Sequence, residues 1–454
     1  MRRRVIVVGG DAAGMSAASQ MRRVNADLDV VVFERGEHVS YGACGIPHLI
    51  AGRIPAPEDL LALSPEQIAQ RGIEVRRRHE VRRVRPRART VEVVGPDGAA
   101  STQRYDYLVL ATGAVARVPD WEGVDLGGVF TLRTLQDGIT LGSFVAAGKP
   151  ASAVVVGTGY VGLEMAEALQ ERGLAVTLLG RSQHVLSGLD PVFATPVLEA
   201  LRARGVQVLL GHPVQRLEGT AGRVTAVVTQ QGRHATDLVV LALGVRPNAG
   251  LAREAGIALG RSGAVAVDDR MRTDAPGVWA AGDCIEVPHV VTGQKVYLPL
   301  ALTANRTGRI AGDNLAADAL GRLSPQRFRG TTGSLVTTTC GFVLARTGLT
   351  VQEARSAGLE AVPFERRSLS RAAYYPGAEE IRTRIVVDRH TRRLLGAEML
   401  GREGVAGRID VFAAALAARL TVDDVYHLDL AYAPPFGPVW DPVIEICGRA
   451  ALEI

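Results

Sequence analysis

The stretch VIVVGGDAAGMSAASQMRR, residues 5–23, passes from an unbroken apolar run through a glycine turn into a run of small residues. Four apolar residues in succession, 5–8, predict a strand buried on both faces, and the small residues beyond the turn predict a helix over 15–23. A second apolar run predicts a strand over 28–33 that ends at Glu34. Strand, glycine turn, helix, strand and acidic end is the order of a dinucleotide-binding unit. Its helix N-terminus faces a pyrophosphate and its carboxylate accepts from ribose hydroxyls. Within the turn GGDAAG, residues 9–14, the usual second glycine is replaced by Asp11, an acidic group close to where phosphates should lie.

The pattern then returns. Residues 153–156 lead into GTGYVGLE, residues 157–164, a complete G-x-G-x-x-G on Gly157, Gly159 and Gly162, followed by a predicted helix to Arg172 and a strand over 175–179. Two dinucleotide sites therefore share the chain. Gly180, Arg181 and Ser182 come after that strand, where an NAD-preferring site places a carboxylate. Without the carboxylate a 2′-phosphate is not repelled, and Arg181 offers it a charge-assisted partner, so NADPH is expected over NADH.

Length and composition bound the rest. A chain of 454 residues predicts two to four domains, and 47% hydrophobic content fills several cores. No run of 18 apolar residues occurs, and the apolar part of MRRRVIVVGG is too short for a signal peptide, so a cytoplasmic protein without a membrane partner is expected. Eight arginines crowd residues 76–89, but Val75, Val81 and Val84 between them predict strands with solvated faces rather than a nucleic-acid surface. Cys44, Cys284, Cys340 and Cys447 lie far apart with no C-x-x-C, which predicts neither a metal site nor a disulfide framework.

One cysteine stands apart. VSYGACGIPHLI, residues 39–50, places Cys44 between Gly42 and Gly45 with Pro47 beyond, about ten residues after Glu34. A thiol at the start of a helix running into His48, Leu49 and Ile50 would meet backbone N–H groups that favour its thiolate, the form a redox nucleophile needs. YLVLATGA, residues 107–114, and LVVLALGVRPN, residues 238–248, are buried strands ending in glycine turns, placed where the chain should cross between nucleotide domains. In RTDAPGVWAAGDCIEVP, residues 272–288, a strand closes at Gly282 and Asp283, whose carboxylate can accept from a flavin's ribityl chain; Cys284 beside it is expected in the core.

These motifs, with AYYPG at residues 373–377 and LDLAYAPPF at residues 428–436, make the whole chain resemble the single-cysteine branch of the FAD-dependent pyridine nucleotide-disulfide oxidoreductases, most closely its coenzyme A-disulfide reductases. The resemblance implies an α/β protein with two Rossmann-like nucleotide-binding domains and a C-terminal α+β dimerisation domain. FAD would occupy a split domain of residues 1–112 and 248–323, NAD(P) residues 113–247, and the homodimer contact residues 324–454. It implies FAD contacts at Gly9, Gly10, Ala13, Gly14, Glu34, Thr112, Gly113, Gly282, Asp283, Leu300 and Ala301. For NAD(P)H it implies Gly157, Gly159, Tyr160, Gly162, Arg181 and Gly244.

Departures within the family narrow the activity. Dithiol members carry a second cysteine, whereas positions 39 and 49 here are Val39 and Leu49. NADH oxidases and peroxidases of this branch place a histidine in the first glycine turn, where this chain has Ala12 and Ala13. The coenzyme A-disulfide branch instead brings C-terminal tyrosines to the thiol, here Tyr432, with Tyr374 or Tyr375 assisting. The implied reaction carries electrons from NAD(P)H through FAD to a mixed disulfide of Cys44 and coenzyme A. Substrate contacts carry over to Ser16, Gln20, Arg23, Ser40 and Arg71, while the family's asparagine, histidine and lysine are replaced by Ala43, Asn305 and Trp440. Those replacements keep a persulfide or polysulfide substrate open beside coenzyme A disulfide, together with NADH oxidation and, as a different class, a redox-sensing flavoprotein without turnover.

Overall fold

Strand Arg4–Val8 lies at the centre of a five-stranded parallel sheet, in the order Val278–Ala280, Tyr107–Leu110, Arg4–Val8, Asp29–Glu34, Ile73–Arg77. Val5, Ile6 and Val7 are wholly buried, which is why the strand reads as a continuous apolar run rather than an alternation. The computed structural model describes residues 2–186 and 188–454. A second parallel sheet has the order Gln207–Leu210, Ala175–Gly180, Ser152–Val156, Val239–Leu241, Val129–Thr131. Each parallel sheet is accompanied by a three-stranded antiparallel one: Glu80–Arg85, Thr90–Val94 and Ala100–Arg104 beside the first, and Val214–Thr220, Arg223–Thr229 and Gly232–Ala235 beside the second.

The first helix spans Ala12–Val24 and so starts three residues before its expected Met15, because the turn residues Ala12, Ala13 and Gly14 already form its first helical turn. Its small residues are there for a close crossing with helix Ala301–Ala319. A Cβ on Gly308 would come within 2.2 Å of the Ala13 carbonyl oxygen, and one on Gly312 within 2.4 Å of that of Ala17, so neither can carry a side chain. The arginine-rich segment forms strands Ile73–Arg77 and Glu80–Arg85. Val81 and Val84 are both buried although three apart, because a register shift between Val81 and Arg83 turns the second back to the core.

The two parallel sheets are joined by a two-stranded antiparallel link, Ala114–Ala116 with Val245–Pro247. Thr112 Oγ1 donates to the Asn248 carbonyl at 2.6 Å and Asn248 Nδ2 to the Thr112 carbonyl at 3.1 Å, closing the crossover at the two expected glycine turns. The C-terminal region is a five-stranded antiparallel sheet in the order Leu335–Thr339, Phe342–Gly348, Leu394–Gly401, Glu380–Asp388, Ala361–Leu369. Helices Val405–Ala418 and Pro442–Glu453 cover one of its faces. Among the described residues no helix is long and apolar enough to cross a membrane.

Candidate active site

A cavity of about 490 Å³ opens at the ends of strands Arg4–Val8 and Asp29–Glu34, lined by Gly9, Gly10, Asp11, Glu34, Tyr41, Thr112, Gly113 and Arg133 among others. Gly9 has φ +106°, and a Cβ there would lie 2.2 Å from the Ala111 carbonyl oxygen; a Cβ on Gly14 would lie 1.9 Å from that of Gly9. The turn is therefore closed backbone against backbone and opens only toward the cavity. Glu34 Oε2 accepts from the Gly10 N–H at 2.8 Å and Oε1 from the Gly36 N–H at 2.7 Å, leaving each oxygen further acceptor capacity for hydroxyls.

Whether this site suits a dinucleotide is tested by the unspent donors in the cavity and near it. Arg133 Nη2 donates to Asp283 Oδ2 at 2.9 Å, while its Nε is buried without a partner. The buried Tyr297 hydroxyl is likewise unpartnered and within electrostatic reach of the same pair; burial, with Asp283 acting the same way, pushes its phenol up. Buried orphan donors are costly unless a ligand satisfies them, and phosphate oxygens would do so here. The residues fit the group. Gly282, with φ +84°, donates its N–H to Thr307 Oγ1 at 3.0 Å, which fixes Asp283 against helix Ala301–Ala319. That helix starts at Leu300 and Ala301 with no side-chain cap, so its free N–H groups face outward from the first turn.

Asp11 runs against this pattern. Burial raises its carboxyl to about 6, ahead of the opposing Tyr41 N–H, which it accepts at 3.3 Å, and the nearby Arg133. That hydrogen bond ties the first glycine turn to the cysteine segment. A carboxyl raised to that point is still mostly ionised at pH 7, so it is held there as a carboxylate at a cost.

The second turn repeats the first: a Cβ on Gly157 would lie 2.2 Å from the Ala242 carbonyl oxygen and one on Gly162 1.9 Å from that of Gly157. Gly159 has open space around it, so its side of the turn is free for a coenzyme. Tyr160 begins the following helix, Tyr160–Glu171, and burial raises its phenol to about 12. Gly244, with φ +82°, accepts the Arg117 N–H at 2.9 Å in the crossover. Gly180 is buried, whereas Arg181 is exposed.

Cys44 sits in the short 3-10 turn Ala43–Gly45 that leads into helix Ile46–Ala51. It is the one exposed cysteine; Cys284, Cys340 and Cys447 are buried, and all four are free. The expectation of a protein-stabilised thiolate is corrected here. Although Cys44 is exposed as a residue, the protein around its sulfur removes water and pushes the thiol up. The carboxylates of Glu164 and Asp283, and more weakly Asp11, push the same way, against Arg133 alone. A 3-10 turn and a six-residue helix do not offset three acidic groups. Glu164 is held by Thr337, whose hydroxyl donates to Oε1 at 2.6 Å. Among the described residues no hydrogen bond reaches the Cys44 sulfur.

The expected substrate residues lie in three places. Ser16, Gln20 and Arg23 share one side of helix Ala12–Val24. Ser16 donates to Asn305 Oδ1 at 2.8 Å and Arg23 to Gln20 Oε1 at 2.8 Å; Arg71 reaches Ser19 Oγ on the same helix at 2.9 Å. Ser40 is buried at φ +54°, its backbone bonded to Gly10 and Ala62, so it shapes the loop beside Cys44, as Ala43 does. Trp440 stands elsewhere, 60% exposed and stacked on Tyr426. Tyr374 and Tyr432 are also exposed and share a hydrogen bond of 3.1 Å between their hydroxyls; Tyr375 packs under Arg371. Sequence reasoning missed Arg133 and Tyr297, which belong to no motif, and gave Glu164 no role although it ends the GTGYVGLE motif.

The chain is similar to known proteins along most of its length. Residues 3–308 match the family model of pyridine nucleotide-disulphide oxidoreductases and residues 336–442 that of their dimerisation domain. The chain is 40% identical to the NAD(P)H sulfur oxidoreductase (CoA-dependent) of Pyrococcus abyssi, over 98% of both chains. It is 30% identical to a coenzyme A disulfide reductase of Staphylococcus aureus, over 99% of both. The crystal structure of reduced Bacillus anthracis CoADR-RHD superposes with a TM-score of 0.95 at 33% identity, covering 99% of this chain and 80% of that one. The chain belongs to the pyridine nucleotide-disulphide oxidoreductase family.

Proposed function

We propose that this protein is a flavoprotein reductase that takes electrons from NAD(P)H through FAD to a disulfide on Cys44, and so reduces coenzyme A disulfide to two coenzyme A thiols. One observation carries the reading: among the described residues Cys44 alone of the cysteines is exposed, within electrostatic reach of the cavity residues Asp11 and Arg133 and of Asp283, and the other three are buried. A second sulfur must then come from a soluble thiol. FAD, held by Gly9, Gly10, Ala13, Gly14, Glu34, Thr112, Gly113, Asp283 and the helix start at Leu300 and Ala301, would supply two electrons received from NAD(P)H. NAD(P)H would lie on Gly157, Gly159, Tyr160, Gly162 and Gly244, with Arg181 at its 2′-phosphate.

The chain's own residues do the sulfur chemistry. The Cys44 thiolate attacks one sulfur of the substrate disulfide; the S–S bond breaks, one thiolate leaves, and a mixed disulfide remains on Cys44. Two electrons cleave that mixed disulfide, freeing the second thiol and restoring the Cys44 thiolate. Arg23 and Arg71 suit the phosphates of coenzyme A beside Ser16, Gln20 and Asn305. Each leaving thiolate needs a proton, and Tyr432, paired with Tyr374, offers a hydroxyl for it. The exposed Tyr374, Phe436, Val439 and Trp440 suit contact with a second copy, which would bring these tyrosines of one copy to Cys44 of the other. A split FAD domain of residues 1–112 and 248–323, an NAD(P) domain of residues 113–247 and a dimerisation domain from residue 324 belong to the same reading, as does a cytoplasmic place, in keeping with free cysteines.

A sulfane-sulfur substrate is the second reading, favoured by the higher identity to the coenzyme A-dependent sulfur oxidoreductase and by the changed positions Ala43, Asn305 and Trp440. Intact mass under non-reducing conditions tests the core of both. A coenzyme A adduct on Cys44, absent in Cys44→Ser, is expected; an unmodified thiol together with no NADPH consumption on any disulfide or polysulfide would overturn the proposal. Relative kcat/KM for coenzyme A disulfide and polysulfide then ranks the two substrates.

A further inference from the structure

The close crossing of helices Ala12–Val24 and Ala301–Ala319 pairs Gly308 with Ala13 and Gly312 with Ala17, so the two helices run the same way past each other. Their closeness brings two polar rows together. On the first helix the row is Ser16 and Gln20; on the second it is Asn305, Arg309 and Asp313, each one turn from the next. Both ends of the rows are bridged. Ser16 donates to Asn305 Oδ1 at 2.8 Å, with the Asn305 amide fixed by its own donation to the Ala301 carbonyl at 2.9 Å. Gln20 Nε2 donates to Asp313 Oδ1 at 3.0 Å. Arg309 stands between the two bridges.

Arg309 is exposed, and among the described residues its guanidinium makes no hydrogen bond or ion pair. The carboxylate spaced to meet it, that of Asp313, is already occupied: Oδ1 accepts from Gln20 and Oδ2 from the Ser324 hydroxyl. No other acidic residue lies one turn away on the helix, where Asn305, Arg306 and Gly312 stand. Arg306 turns elsewhere, over the Phe328 ring at 5.3 Å. The facing side of the first helix holds two more guanidinium groups bonded only to neutral partners, Arg23 to Gln20 Oε1 at 2.8 Å and Arg71 to Ser19 Oγ at 2.9 Å. Three such charges, none paired with a carboxylate among the described residues, make a local positive potential that draws a polyanion.

We propose that Arg309 is a further phosphate-binding residue for the coenzyme A substrate: it takes the pyrophosphate, while Arg23 and Arg71 take the 3′-phosphate beyond. This rests on the reading that this side of the first helix holds coenzyme A. The order follows from the direction of the helix. Asp11, just ahead of it, accepts from the N–H of Tyr41, close before Cys44 in the chain, so the helix start is the end nearer the thiol. Arg309 is level with the interval from Ser16 to Gln20, ahead of Arg23, and at about 1.5 Å per residue that is roughly 5–10 Å nearer that end. Coenzyme A meets the arginines in the same order, since its pyrophosphate lies between the thiol-bearing pantetheine arm and the 3′-phosphate. A planar guanidinium can donate two parallel hydrogen bonds to one phosphate.

Calorimetric titration of the FAD-loaded Cys44→Ser protein, which binds thiols without forming a disulfide at residue 44, with coenzyme A and with 3′-dephospho-coenzyme A provides the test. Adding Arg309→Gln should raise the Kd by about tenfold for both ligands, the equivalent of one charge-assisted hydrogen bond, with Arg309→Lys recovering part of the loss. Arg306→Gln, which removes the same charge from the same helix, should leave both Kd values as they were. With Cys44 intact, Arg309→Gln should raise KM for coenzyme A disulfide relative to that for pantethine, which carries no phosphate. An unchanged Kd for coenzyme A in Arg309→Gln, or an equal rise in Arg306→Gln, would overturn the proposal. A rise for coenzyme A without one for the dephospho form would overturn the assignment to the pyrophosphate. Cys44→Ser protein that binds neither ligand would instead sink the coenzyme A reading itself.

Discussion

Replacing Arg181 by alanine should remove the preference for NADPH and leave NADH nearly untouched. The guanidinium is exposed at the end of the second nucleotide-binding strand, so a phosphate there gains a charge-assisted hydrogen bond that water partly screens. That places the gain at the low end of the usual range, about 1.5 kcal/mol, or roughly tenfold in kcat/KM. Steady-state kinetics with both coenzymes should show wild type favouring NADPH by about that factor, the variant favouring neither, and the change residing in KM. Raising the ionic strength should narrow the wild-type preference as well. Full reversal needs more than a new carboxylate. A Cβ on Gly180 would lie 2.7 Å from Thr158 Cγ2 and 3.0 Å from Leu210 Cδ2, so Gly180→Glu alone pushes against the glycine turn. Combined with Thr158→Ala, which removes that methyl, the carboxylate has room to accept from a 2′-hydroxyl and repel a phosphate. Wild type that uses NADH as well as NADPH, or an Arg181→Ala enzyme that keeps the preference, would refute the reasoning.

Cys44→Ser should retain flavin reduction by NADPH and lose disulfide turnover, since an alcohol cannot carry the mixed disulfide; turnover surviving in that variant would move the chemistry to another residue. Glu164→Gln, which keeps an acceptor for Thr337, removes the foremost of the carboxylates that push the Cys44 thiol up. Alkylation of reduced enzyme at neutral pH should therefore quicken and its pH profile move to lower pH, and an unmoved profile would reject Glu164 as a cause. Asp11→Asn should stabilise the FAD-free protein by about 3 kcal/mol above pH 6, from a carboxyl raised from 3.8 to about 6 at about 1.4 kcal/mol per unit. Because a raised carboxyl costs nothing while protonated, the penalty grows between about pH 4 and 6, and the gain from asparagine should vanish below pH 4 in urea unfolding; a gain equal at pH 3.5 and 8 contradicts it. Asp283→Ala takes its ion-pair partner from the half-buried Arg133 and removes an acceptor beside the cavity, so FAD content after dialysis should drop, and full occupancy would remove Asp283 from the site.

The parts of this protein that could be read in sequence are those whose reason is local. Gly9, Gly14, Gly157 and Gly162 are glycines because a Cβ would strike a backbone carbonyl a few residues away or on the neighbouring strand, and such constraints recur at fixed spacing. Glu34 is read from its place at a strand end for the same reason. Arg133 carries no such mark: its meaning comes from Asp283, far along the chain, and nothing in TLRTLQD distinguishes a cavity arginine from a solvated one. Arg382 and Arg384, which bind the Val192 carbonyl and the Asp190 carboxylate, are equally silent, since alternation in IRTRIVVD reveals a face but not what that face meets.

Cys44 shows where local reasoning reverses. Its own segment argues for an easy thiolate, with a helix start and flanking glycines, whereas the fold brings Glu164 from the second nucleotide unit and Asp283 from the end of another strand to oppose ionisation. The sum is a thiol pushed up by its surroundings, with Arg133 acting against the push. Arg133 is in turn paired with Asp283, so the two halves of one ion pair bear on the sulfur with opposite signs. Control of the nucleophile therefore lies outside the cysteine loop, and substitutions at Glu164, Arg133 or Asp283 should alter thiol reactivity without touching a residue between Val39 and Ile50.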